Sequence, residues 1–404
     1  MLRLISREII LRSMRGAASW LENSVDSASG QGVGHRIALY AESGEVTWLY
    51  PHGNTGEVIT AWRVLGKALD RPEYFSSAIR YADGLIEDRE QGIYRGSFRS
   101  AHGLMWYWTD IGSYNSLYAM RCIGPLLQLH KVTGDRRFLE TPLMMGATFL
   151  QRQTASGLVD ASWSPARGWA EGGTRVGCRF LYCLATFASL FGATGDRVYR
   201  DAYEKSVGAL LKMQKADGSF YQHYEVATAE PSPSDSSTKF LFFSYLLNAL
   251  AEAYAVFEEE RLLEAACRLG DFLVRSFYHR AALPYCRGEK LLPTDRAEAE
   301  TGIFDAANGL LWLSSETGEF SYLDVATKLW LAAWSNQPEG TGIQGLDGAI
   351  LGGNSPFHSA TVEGVTGDRP HLFHDPARAS KCTLWGMVNH IFASHWLLQR
   401  MECP

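Results

Sequence analysis

Apolar residues recur along this chain in two alternating kinds of block. In one kind they cover nearly the whole circumference of a helix, as in the stretch WYWTDIGSYNSLYAMRCIGPLLQLHKVTGD from Trp106 to Asp135. In the other they form one stripe at helical spacing, as with Tyr203, Val207, Leu210 and Leu211. A helix that is apolar all round is buried on both sides, and a striped one has one face in water. The pattern predicts inner helices near 55–69, 110–132, 174–192, 236–257, 302–316 and 381–400. It predicts outer helices near 2–22, 73–89, 137–153, 197–215, 260–278 and 320–335.

Each inner block ends at a short polar turn, and an outer block follows. The turns are Leu69-Asp70-Arg71-Pro72, Thr133-Gly134-Asp135, Thr194-Gly195-Asp196, Glu258-Glu259-Glu260 and Thr317-Gly318-Glu319. Taking Asp70, Asp135, Asp196, Glu259 and Gly318 as markers, the gaps are 65, 61, 63 and 59 residues. That repeat implies six helical hairpins closing into one ring, an all-α toroid, with 1–404 as a single domain. Strand signals are few: Val46–Tyr50 and Phe220–Tyr224 suit small hairpins. No βαβ alternation, GxGxxG or Walker motif is present. Long polar-aromatic loops (90–109, 154–173, 216–235, 279–301 and 336–380) lead into the inner helices. Loops of that length carry function or are disordered, which puts the expected site on the face where the inner helices start.

Composition narrows the chemistry. The formal charge is −6, from 38 basic and 44 acidic residues, which does not suit nucleic acid or an anionic membrane as partner. The seven cysteines are scattered with no CxxC, so they read as reduced thiols of a cytoplasmic protein. The arginine-studded N-terminus reads as an amphipathic helix and not as a signal peptide. No apolar run reaches transmembrane length. No cofactor is expected, and the oligomeric state is not legible.

The alternating helices, the TGD turns and the run Gln214-x-x-Asp217-Gly218-Ser219-Phe220-Tyr221-Gln222 resemble the six-hairpin (α/α)6-barrel glycosidases. The likeness is nearest to the unsaturated glucuronyl and rhamnogalacturonyl hydrolases. Ser156-Gly157-Leu158 through Trp163, with Gly168-Trp169-Ala170-Glu171-Gly172-Gly173, is similar to a second stretch of that family. The resemblance covers roughly residues 50–260. It implies an acid/base hydrolase of short, perhaps acidic oligosaccharides. The family's two aspartates near the starts of successive inner helices fall here on Asn54 and Asn115, and an amide cannot donate a proton as a carboxylic acid does.

Other carboxylates must then carry the chemistry. Asp110, between Trp108 and Tyr114, is read either as a general acid with a raised pKa or as a helix N-cap. Glu171, Asp305, Glu363 and His374 are the candidate partners. Trp106, Trp108, Tyr114, Trp163 and Trp169 offer faces on which sugars stack, the alternative being loops packed on their own aromatics. His52, Asn54, Asn115, Arg175 and His358 are expected pocket liners. Asp235 is expected to cap a helix from Ser236, and Lys239 to sit one turn inside it, where it either faces the cavity or is paired. His371-Leu372-Phe373-His374-Asp375 lacks a third placed ligand, so a base or hydroxyl partner is preferred there over a metal. His130, His390 and His395 are read as structural. An isomerase, lyase or cyclase of a non-glycosidic substrate on the same toroid remains an alternative, as does a binding protein without chemistry.

Overall fold

Thr-Gly-Asp does three jobs in three residues. Thr133 Oγ1 donates to the Leu129 carbonyl at 2.8 Å, Gly134 turns left-handed at φ 72°, and Asp135 Oδ1 accepts from the Arg137 amide at 2.9 Å. One helix is thereby closed and the next opened, since each helix end leaves backbone groups needing partners. Thr194, Gly195 and Asp196 repeat the device, with Val198 N donating to Asp196 Oδ1 at 3.0 Å. Thr317 and Gly318 repeat its first half. Asp70 and Glu258 hold the left-handed position without glycine, at φ 54° and 50°.

The computed structural model describes residues 5–22, 34–40, 46–52, 55–87, 89–90, 93–94, 114–159, 162–164, 168–169, 175–221, 223–231, 238–239, 241–280, 286–287, 302–335, 337, 339–341, 347–349, 379–382 and 384–402. Within them lie six inner helices: α2 (Thr55–Ala68), α4 (Ser116–Thr133), α6 (Cys183–Thr194), α8 (Leu241–Phe257), α10 (Gly302–Thr317) and α12 (Leu384–Glu402). The outer helices are α1 (Arg7–Trp20), α3 (Tyr74–Glu87), α5 (Arg137–Arg152), α7 (Arg197–Met213), α9 (Glu260–Arg280) and α11 (Phe320–Ser335). Each inner helix packs on the next, and α12 returns to α2, so the ring closes as an (α/α)6 toroid.

A second device stitches the outer ring. Gln153 Nε2, at the end of α5, donates to Gly157 O at 3.1 Å and to Ala202 O of α7 at 2.8 Å. Gln214, at the end of α7, does the same to Gly218 O and to Ala265 O of α9. Gln337, past α11, donates to Ser13 O of α1 and to Gly348 O, which joins the last repeat to the first. The glycine of each clamp lies flat on the neighbouring helix. A Cβ on Gly157 would stand 2.0 Å from Lys205 O, and one on Gly218 2.1 Å from Arg268 O. The Gln…Asp-Gly motif is thus a joint between repeats.

The structure corrects the starts of four inner helices. Short strands take the positions expected to be helical: β5 (Tyr114–Asn115) before α4, β8 (Arg175–Gly177) and the 3-10 turn Cys178–Tyr182 before α6, β10 (Thr238–Lys239) before α8, and β12 (Ala379–Cys382) before α12. Lys239 and Arg175 are strand residues, and Asp110 and Asp235 lie outside the described residues. The remaining strands are β1 (Gly34–Tyr40), β2 (Val46–His52), β3 (Arg89–Glu90), β4 (Ile93–Tyr94), β6 (Ser162–Ser164), β7 (Gly168–Trp169), β9 (His223–Glu225) and β11 (Cys286–Arg287). The hairpin expected over 220–224 is instead β9 paired with β8 of the preceding repeat. β1 lies between β2 and β12. Among the described residues, no helix is long and apolar enough to cross a membrane, and Cys122, Cys178, Cys183 and Cys267 are free thiols.

Candidate active site

Each of the six inner helices, or the turn leading into it, sends a polar side chain into the middle of the ring. Glu57 of α2 forms an ion pair with Arg121 of α4, both side chains buried. The Arg121 guanidinium lies 4.5 Å from the Tyr245 ring centre. Tyr182, at the entry to α6, donates its hydroxyl to Glu252 Oε1 of α8. Asn308 of α10 donates to Asn248 Oδ1 at 3.0 Å, and Asn248 donates to Asn389 Oδ1 of α12 at 2.9 Å. Charged residues are almost never fully buried unless paired, and this layer supplies the pairs.

Two carboxyls share this space with one guanidinium. Burial pushes Glu57 up to about 8, against the lowering pull of Arg121. It pushes Glu252 up to about 7, against the hydrogen bond from Tyr182 and the attraction of Arg121. With both acids ionised the cluster would carry one negative charge beyond what Arg121 compensates, so one proton stays on the pair near neutral pH. Tyr182 is held well above the usual phenol range by burial and by Glu252. Buried acids that keep a proton at neutral pH mark functional-site candidates. The sequence reading missed this layer. Its signal was available as Glu57, Arg121 and Glu252 inside otherwise apolar helices.

Above the layer, at the N-terminal ends of the inner helices, the short strands form a collar. β5, β6 and β7 make one antiparallel sheet in which Tyr114 pairs with Trp163 and Trp163 with Trp169. Directly opposed residues are neighbours on one face of a sheet, so the register brings three of the expected aromatics to one place. Asn115, opposite Ser162, is next to them. The other candidates are distributed around the collar. Arg175 is opposite Glu225, Lys239 opposite Cys286 and His52 opposite Gly34. Asp305 lies in the first turn of α10. Asn54, Trp106, Trp108, Asp110, Glu171, His358, Glu363 and His374 lie outside the described residues, as do His371 and Asp375. Among the described residues no group of three His, Cys, Asp or Glu is placed to hold a metal ion. His130 bonds its own turn through Asp135 O at 2.9 Å. His390 is buried, stacks on Trp330 at 5.4 Å and bonds Ser13 at 2.7 Å.

Residues 143–341 match the model of the β-L-arabinofuranosidase, GH127 catalytic domain. No curated protein matches in sequence. Among solved structures, an unsaturated glucuronyl hydrolase specific for heparin is 13% identical at TM-score 0.69, covering 98% of this chain and 99% of that one. The unsaturated glucuronyl hydrolase of Bacillus sp. GL1 is 16% identical at TM-score 0.68, covering 97% of each chain. A glycoside hydrolase from family 105 of C. acetobutylicum is 12% identical at TM-score 0.59, covering 85% of this chain and 93% of that one. At such identities the structures share the toroid. The glycosidase class rests on the catalytic-domain match, and that class agrees with the fold.

Proposed function

We propose that this glycosidase-type enzyme cleaves a short oligosaccharide at the collared mouth of the barrel. The observation that carries the reading is the register of Tyr114, Trp163 and Trp169 at the inner-helix N-termini. It brings three aromatic residues to one short sheet in a chain whose residues 143–341 match a glycoside hydrolase domain, and we assign them the stacking of the sugar. Hydrolysis breaks the glycosidic C–O bond, adds water at the sugar carbon and returns the proton taken from water to the leaving oxygen. Asp110 is the proposed acid. It lies outside the described residues, six positions before α4 begins at Ser116. Its proposed partner is one of Glu171, Asp305, Glu363 and His374. Asp305 has the added support of its place in the first turn of an inner helix, at the same mouth. His52, Asn54, Asn115, Trp106, Trp108, Arg175, Lys239 and His358 are the proposed substrate contacts.

Two substrate classes are named by the similar proteins, arabinofuranosides and unsaturated glucuronides. Asn54 and Asn115, where the glucuronyl hydrolases are expected to carry aspartates, favour the first. We also assign 1–404 to one domain, supported by the contact of α12 with α2 and of Gln337 with α1. The free thiols support a cytoplasmic location.

The test is hydrolysis of aryl arabinofuranosides and unsaturated uronide disaccharides by wild type, Asp110→Asn and Trp163→Ala. Loss of a general acid should lower kcat by about 100-fold or more, and loss of the platform should raise KM. Equal rates in wild type and Asp110→Asn would remove Asp110 from the chemistry.

A further inference from the structure

On the far side of the polar layer the lumen opens again. A cavity of about 1060 Å³ runs from Glu57, Arg121, Tyr182 and Glu252 to the C-terminal ends of α4, α6, α8 and α12. It faces away from the collar, beside the Thr-Gly-Asp turns. Small residues keep it open. A Cβ on Gly124 would have Glu252 Oε2 at 3.6 Å and Ser189 Oγ at 3.7 Å as its nearest neighbours. Its size is at the upper end of ligand pockets, which run to roughly 1,000 Å³.

The lining selects a ligand class. With one proton shared by Glu57 and Glu252, the lining carries one carboxylate against Arg121 and Lys131, and the negative ends of the surrounding helices offset the remaining positive charge. Burial, with Lys67 nearby, holds His395 below the ordinary histidine value. Helix C-termini carry negative partial charge, which disfavours anions. Arg121 and Lys131 disfavour cations in the same space. What remains is hydrogen bonding to a neutral molecule. Asn308 Oδ1 is a buried acceptor with no hydrogen-bond partner among the described residues, and Gln128, Gln399 and Ser189 line the walls. Trp396 and Phe392 add aromatic surface on one side. Hydroxyl donors, hydroxyl acceptors and one apolar face on a single compact molecule describe a sugar ring.

We propose that the rear mouth of the barrel is a second binding site, separate from the collared mouth, for a neutral monosaccharide or neutral sugar unit. Asn308, the layer residues and the wall amides bind its hydroxyls, and Trp396 takes its apolar face.

Full-length protein labelled with fluorotryptophan tests this, with the Trp396 resonance identified by Trp396→Phe. Titration with D-glucose or D-xylose should shift that resonance saturably, and D-glucuronate and spermidine should not. Ser189→Phe, which fills the cavity from α6, should abolish the shift. If that variant melts early, Gly192→Phe at the rim replaces it, since a Cβ there meets only Val256 at 3.4 Å. No shift with neutral sugars overturns the proposal. So does an equal or larger shift with glucuronate or spermidine, or a shift that survives the filled cavity. The readout needs no turnover, so absence of hydrolysis would count against the collared active site and leave this result standing.

Discussion

Glu252 lies among apolar neighbours, Ala249–Ala251 and Ala253–Val256, yet it faces another carboxyl across the lumen and bonds a phenol. Its raised pKa has a consequence for stability. A carboxyl held protonated in the folded state has already lost its proton in the unfolded chain at the same pH. Stability therefore falls as pH rises from about 4.5 towards the folded value of about 7. Glu252→Gln should flatten that decline and raise stability at pH 8 by about 1–3 kcal/mol, at roughly 1.4 kcal/mol per pH unit. Urea unfolding from pH 5 to 8 reads it, and an unchanged slope would show that Glu252 is ionised throughout. His390 acts in the opposite direction. Burial depresses it to about 3, so its stabilisation is lost as pH falls below the ordinary histidine value. The unusual placement of Glu57, Arg121 and Glu252 was visible in the sequence as charge inside apolar helices. Their partnership was not, because the closed ring decides which helices face one another.

At the scale of the element, the two kinds of glycine separate two kinds of turn. Gly134 is left-handed with nothing within 4 Å of an added Cβ, whereas Gly157 is left-handed and lies on the Lys205 carbonyl. Gly134→Ala should cost about 1 kcal/mol, the conformational penalty alone. Gly157→Ala adds a backbone clash and should cost more than about 3 kcal/mol. Thermal melts of the two variants compare them, and equal losses would refute the joint between outer helices. The Thr-Gly-Asp turns were legible because Thr, Gly and Asp each have a fixed local role. The collar was not. Strands of two or three residues, such as β5 and β10, are too short to show an alternating pattern. The apolar character of the flanking sequence extended the expected helices over them, and so Lys239 was placed one turn inside a helix that begins at Leu241.

The whole molecule is a ring with two mouths separated by a polar layer. Six hairpins were legible from a spacing of about 60 residues alone, and the closure of α12 on α2 follows from it. The ring is the scaffold of several glycosidases, and function is set by the groups placed on it. In this chain the proposed groups are those of the collar strands at one mouth and the ionisable layer beneath. The most direct test is incubation of the wild-type protein with the oligosaccharide panel in water carrying heavy oxygen, with product masses read. The account predicts cleavage of a glycosidic bond with one heavy oxygen on the released reducing sugar. Cleavage without oxygen uptake would show elimination, and an isomer or cyclised product would show other chemistry on the same toroid. Either outcome contradicts hydrolysis.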